Sequence, residues 1–128
     1  MVALGTYRWV GRSIIAVGVI HCVVGVMIFI APLMEILRDG IWNAVDGFKG
    51  RPLAFWFEFA GLLTIVFGLA IDRMEKESIA MPRVMAYGFS ILVALAIIAM
   101  PVGGGWLLMP AAMGMLLKRQ RGQGHAAV

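Results

Sequence analysis

Charge is scarce in this chain. Asp, Glu, Lys and Arg make up 14% of its 128 residues, where a soluble domain carries about 25%. Hydrophobic residues make up 62%, against about 45–50% in a soluble domain, and mean hydropathy is +0.93. That balance excludes a disordered chain, a nucleic-acid-binding domain and an ordinary cytosolic enzyme. It points to an integral membrane protein with the lipid bilayer as its solvent. Cysteine is nearly absent. The single Cys22 excludes an intrachain disulfide. A lipoprotein anchor wants a small residue before its cysteine, and His21 stands there. Catalytic patterns are missing too: there is no Gly-rich loop between strand and helix, no Ser–His–Asp set and no paired acid dyad. No enzymatic activity is legible, and the catalytic set is empty.

What is there is apolar and continuous. The length gives one domain, 1–128, and four apolar runs fill it: Ser13–Ile30, Leu53–Ile71, Val84–Met100 and Val102–Leu117. A spanning helix needs about 17–25 residues. The first three qualify. The fourth is short and is expected to tilt little or to snorkel at its ends. The first run is too long for a signal-peptide core of about 7–15 residues, and Pro32 follows it rather than a small-x-small cleavage site. It is read as a retained helix. Pro101 and Gly103–Gly105 break the chain between the last two runs into a helical hairpin. The expected fold is an all-α membrane four-helix bundle.

The basic residues set the orientation. Arg8, Arg12, Arg73, Lys76, Arg83, Lys118, Arg119 and Arg121 fall on one side, and only Arg38, Lys49 and Arg51 on the other. The positive-inside rule then places both ends in the cytoplasm. The pI near 9.8 reads as this topology signal rather than as affinity for nucleic acid. Tyr7, Trp9 and Tyr87 fall at the inner boundary, and Trp42, Trp56 and Trp106 at the outer one, as interfacial aromatics do. The run Asp72, Arg73, Glu75, Lys76, Glu77 reads as the solvated inner connection.

The first connection, Ala31–Pro52, carries Leu33, Ile36, Leu37, Ile41, Ala44, Val45 and Phe48 at helical spacing, with Glu35, Arg38, Asp39 and Asp46 between them. That pattern predicts a short amphipathic helix on the outer membrane surface. The turn signals Asp39-Gly40 and Asp46-Gly47 allow an ordinary packed loop instead. Gly11, Gly18 and Gly25 recur every seven residues in the first run, and Gly61 and Gly68 in the second. Gly18, Gly25, Gly61 and Gly68 are the expected helix-packing residues, because small side chains let helix backbones approach in lipid.

Four patterns occur in one order: arginine, aromatic and Gly11-Arg12 followed by Gly18-x-x-His21-x-x-x-Gly25; Asp39-Gly40-Ile41-Trp42-Asn43-Ala44-Val45; Ala54-Phe55-Trp56-Phe57-x-Phe59-Ala60-Gly61; and Met100-Pro101-Val102-x-Gly104-x-Trp106-Leu107. Together they cover nearly the whole chain apart from its tail. The chain resembles a bacterial family of small four-span membrane proteins catalogued as a domain of unknown function. The resemblance implies a four-span fold and a prokaryotic source. It implies no activity.

Two polar residues inside the apolar runs form the candidate site. His21 lies near mid-membrane on the face of Gly18 and Gly25, so it faces another helix. An ionisable residue there is a functional candidate; the alternative is a neutral histidine bonded to a backbone carbonyl or a hydroxyl such as Thr64 or Ser90. Adjacent His21 and Cys22 point about 100° apart and cannot clasp one metal ion. Glu58 lies on the Gly61 and Gly68 face. Opposite helix directions aim His21 and Glu58 apart, so Glu58 is expected to meet Asn43 or the backbone of Gly103–Gly105. Three functions follow from these residues: a structural or accessory membrane protein, alone, as a homo-oligomer or within a larger membrane complex; a haem- or quinone-binding protein using His21; and a small proton-coupled transporter or channel using Glu58 and His21.

Overall fold

A computed structural model of the chain describes residues 8–123, with side chains as far as Leu117. Tyr7, His125 and the side chains of Lys118, Arg119 and Arg121 lie outside the described residues. Within them all regular structure is helical: α1 (Val10–Arg38), α2 (Arg51–Lys76), α3 (Arg83–Ala99) and α4 (Met109–Gln123). A short 3₁₀ segment, Gly104–Leu108, leads into α4. Helices α1 and α2 are long and apolar enough to cross a membrane. At 1.5 Å per residue they measure about 43 and 39 Å.

The helices outrun the apolar runs for identifiable reasons. Helix α1 continues past Pro32 because the ring bends it instead of ending it. Pro32 has no N–H to give the Ile28 carbonyl, and the backbone kinks at Phe29 (φ −110°, ψ 23°). The arm beyond the kink carries Leu33, Ile36 and Leu37. It closes at Gly40 in a Schellman motif: Ile41 N–H donates to the Ile36 carbonyl at 3.1 Å and Gly40 N–H to that of Leu37 at 3.3 Å, with Gly40 at φ +86°. Positive φ at Ile41, Asn43, Gly47 and Gly50 turns the chain repeatedly before α2. The separate amphipathic helix expected over Ala31–Pro52 is therefore absent. Its first third belongs to α1, its last two residues open α2, and 39–50 is a string of turns.

Helices α1 and α2 run antiparallel along a glycine seam. A Cβ at Gly18 would sit 2.7 Å from the Ile65 side chain, one at Gly61 2.5 Å from Cys22 Sγ, and one at Gly68 2.8 Å from Ile15. Gly11 meets the Asp72 backbone and Gly25 meets Glu58. Seven residues forward on α1 match seven back on α2. Each glycine thus receives a larger side chain from the opposite helix, which is how backbones come close without a hydrophobic driving force between them.

The main core lies at one end, where α1 begins, α2 ends, α3 begins and α4 is most buried. Val10, Ile14, Ile71, Ala86, Ala111 and Met115 form it. Helix α4 joins α1 there through Gly114, where a Cβ would touch the Trp9 ring at 2.5 Å. Helix α3 packs back on α4, after a tight connection in which Gly103 N–H donates to the Met100 carbonyl at 2.9 Å. The order around the molecule is α2, α1, α4, α3. The α2 and α3 backbones stay more than 8 Å apart.

Candidate functional site

The polar residues of the α1–α2 seam meet one turn at a time. Gly61 has no side chain to cover the Phe57 carbonyl, so the His21 ring reaches that carbonyl from α1, with Nε2 at 3.0 Å from the oxygen. A carbonyl only accepts, so Nε2 carries a proton and donates. The imidazole also stacks on the Phe57 ring, 4.0 Å between centroids and 12° between planes. Phe29, at the kink, closes on the other part of the same ring at 5.3 Å. Thr64 and Ser90, the hydroxyls considered for His21, instead donate to Ala60 and Ala86 of their own helices, each at 2.8 Å.

Glu58 sits one turn along, against Gly25. The Cys22 thiol lies between the two residues, with Sγ 3.9 Å from the Glu58 carbonyl oxygen. Glu58 Oε1 is buried without a hydrogen-bond partner. The structure thus gathers His21, Cys22, Gly25, Phe57, Glu58 and Gly61 on one stretch of seam. His21 and Glu58 share no hydrogen bond or ion pair. The expectation that Glu58 reaches Asn43 or Gly103–Gly105 is corrected: α1 covers it at Gly25, and its carboxyl stays inside the seam. Gly18 and Gly68 occupy the next turns toward the core end, facing Ile65 and Ile15.

Two further polar clusters hold the ends of the seam, and sequence reasoning missed both. At the core end Glu75 is buried, 7% exposed, and its Oε2 accepts the Gly11 N–H at 2.9 Å. Trp9, at the N-cap of α1, offers no side-chain cap, so a carboxylate from α2 satisfies an orphan donor at the start of α1 and faces the positive end of its dipole. Asp72 pairs with Arg8, and Arg12 Nε stands 3.7 Å from its other oxygen. These two acids were read as parts of a solvated connection. Their helical spacing with Gly68 and Ile71 was the available signal.

At the opposite end Arg51 is buried, 6% exposed. Its guanidinium donates to Asp39 Oδ2 at 2.7 Å, to the Ala44 carbonyl at 2.9 Å and to Glu35 Oε2 at 3.2 Å. It also lies 3.9 Å over the Phe48 ring. Burial works to lower its pKa, but the hydrogen bonds and charges of Asp39 and Glu35 outweigh burial and raise it, so this clamp stays charged. The signal was Glu35 and Asp39 four apart, which puts both carboxylates on one helix face. Among the described residues no three His, Cys, Asp or Glu side chains are grouped to hold a metal ion.

This is an all-α chain with a glycine seam, polar groups paired within or beside it, and two helices long enough to cross a membrane. It belongs to a family of unknown function, DUF6463, whose model matches residues 5–122. Neither a curated protein nor a solved structure matches the chain.

Proposed function

We propose that the chain is an integral protein of the bacterial inner membrane, crossing it four times with both ends in the cytoplasm, and that its role is structural or accessory. The observation that carries this reading is the outward apolar surface. Met27, Val66, Leu92 and Ile98 are 75%, 62%, 66% and 77% exposed, and they face away from a small core on three different helices. In water a surface of that extent is an association liability; in lipid it is simply solvated. Helix α3 has 17 residues, the lower limit for a span. The apolar stretch Gly104–Leu117 measures only about 24 Å even with its first part drawn out as 3₁₀. It crosses a core of about 30 Å by thinning the bilayer or snorkelling.

The structural role rests on how the intramembrane polar groups are spent. His21 Nε2 is engaged by the Phe57 carbonyl and its ring by the Phe57 ring, so binding haem or quinone through that nitrogen requires breaking a seam contact. One observation favours the transporter reading: the buried Glu58 Oε1, which has no hydrogen-bond partner. Four measurements separate these. Alkaline carbonate leaves the protein in the membrane pellet, and a reporter fused after Val128 is active on the cytoplasmic side; release by carbonate sinks the membrane reading, and an outward reporter sinks the orientation. A visible absorption band in purified protein replaces the structural role with a cofactor role. Flux of protons in vesicles that Glu58→Gln abolishes replaces it with transport.

A further inference from the structure

We propose that the open seam between α2 and α3 seats one acyl chain of an anionic phospholipid, whose phosphate is met by Arg83 and Lys76; this deepens the membrane reading above and rests on it. The gap is about 270 Å³ and is bridged at a single level by the stacked rings of Phe67 and Phe89, 5.1 Å apart. Its walls are Leu63, Phe67, Met85, Gly88, Phe89 and Leu92. A Cβ at Gly88 would meet nothing within 4 Å, so the wall is unpacked there. Thr64 also lines the gap, but its hydroxyl donates to Ala60. The slot therefore has no polar handle along its length and fits a slender apolar chain.

Charge decides which lipid. Arg83 directly precedes Val84 at the mouth of the slot, and Lys76 closes α2 at the same end. The neighbouring acids are already taken: Asp72 by Arg8 and Arg12, Glu75 by the Gly11 N–H, and Glu77 by Arg73 at 2.5 Å. Lys76 and Arg83 are exposed, and no hydrogen bond or ion pair engages either among the described residues. An apolar slot below two uncompensated cations complements a lipid with one chain in the slot and a net negative headgroup at the mouth.

The test uses the full chain purified in mild detergent, with dioleoylphosphatidylglycerol and dioleoylphosphatidylcholine as probes and native mass spectrometry as the readout. One phosphatidylglycerol is expected per chain, preferred about tenfold over phosphatidylcholine. Arg83→Gln and Lys76→Gln should each weaken phosphatidylglycerol about fivefold and phosphatidylcholine, whose phosphate is offset by its own cation, by less than about twofold. Gly88→Leu, which fills open space, should lose both lipids at unchanged helicity by circular dichroism. Equal affinity for the two lipids, or retention unaffected by Gly88→Leu, overturns the proposal. So does a dimer that Gly88→Leu disperses, since the slot then holds a second copy. Release from membranes by alkaline carbonate overturns the membrane reading and this one together. A protein that stays in the membrane without lipid preference overturns only this one.

Discussion

At Gly61 an added methyl would lie 2.5 Å from the Cys22 sulfur and 2.9 Å from the His21 ring, in a seam with no slack on either side. Gly61→Ala should destabilise the protein by about 1–3 kcal/mol through overpacking. Gly88→Ala, with open space around it, should be neutral or gain up to about 1 kcal/mol from helix propensity; unfolding of both variants in one detergent checks the contrast. His21 and Glu58 occupy successive turns of the seam but share no bond. His21→Ala and Glu58→Gln should therefore combine with a coupling of less than about 0.5 kcal/mol. A double-mutant cycle returning well above 1 kcal/mol would show that they act as a pair. The spacing of Gly18, Gly25, Gly61 and Gly68 was legible in the sequence, and so was the carbonyl reading of His21. The partner of Glu58 was not. A pattern that repeats every seven residues does not say which glycine of α1 a given α2 side chain meets, and depth arithmetic on the apolar run sent Glu58 toward the loops.

The helices themselves were legible to within a few residues wherever an apolar run ended in a strong breaker, as at Pro82 before α3 and Met100-Pro101 after it. They were misjudged where charge continued the helix. Asp72 and Glu75 continue α2 in helical register with Gly68 and Ile71, and the start of α1 supplies their partners, which the spacing alone does not name. Glu75→Ala should remove the cap on Gly11 and cost about 1–2 kcal/mol, while Glu75→Gln keeps an acceptor oxygen and should cost less. Thermal unfolding of the two variants in the same detergent measures the difference. The segment 39–50 looked helical because its apolar residues keep helical spacing, yet left-handed backbone at Gly40, Ile41 and Asn43 overrides that spacing. Its order comes from Arg51. Arg51→Gln should leave the helical content unchanged but make 39–50 a site of rapid proteolytic nicking. Cleavage as slow as in the unsubstituted protein would show that the loop holds without the clamp.

For the whole molecule, the number of helices and the hairpin after α3 followed from the apolar runs. Their arrangement did not, because α1 is shared between α2 and α4, while the α3 backbone leans on α4 and its side chains touch α2 through the Phe67–Phe89 stack. The α1–α2 pairing has a consequence of its own. Sliding α2 by seven residues would set Ile65 on Gly11 and Glu58 on Gly18, so a glycine would again receive a large side chain at each step. The glycine spacing by itself is therefore compatible with two alignments, about 10.5 Å apart along the axis. What selects between them is polar: Arg8 with Asp72, and Glu75 with the Gly11 N–H, fit only one alignment. Part-buried polar pairs of this kind can specify alignment without adding much stability. With Asp72→Ala and Glu75→Ala combined, which remove both acceptors, distances between spin labels on α1 and α2 should become bimodal while the helices persist. A single unshifted distance would mean that the chain discriminates the two alignments by packing alone.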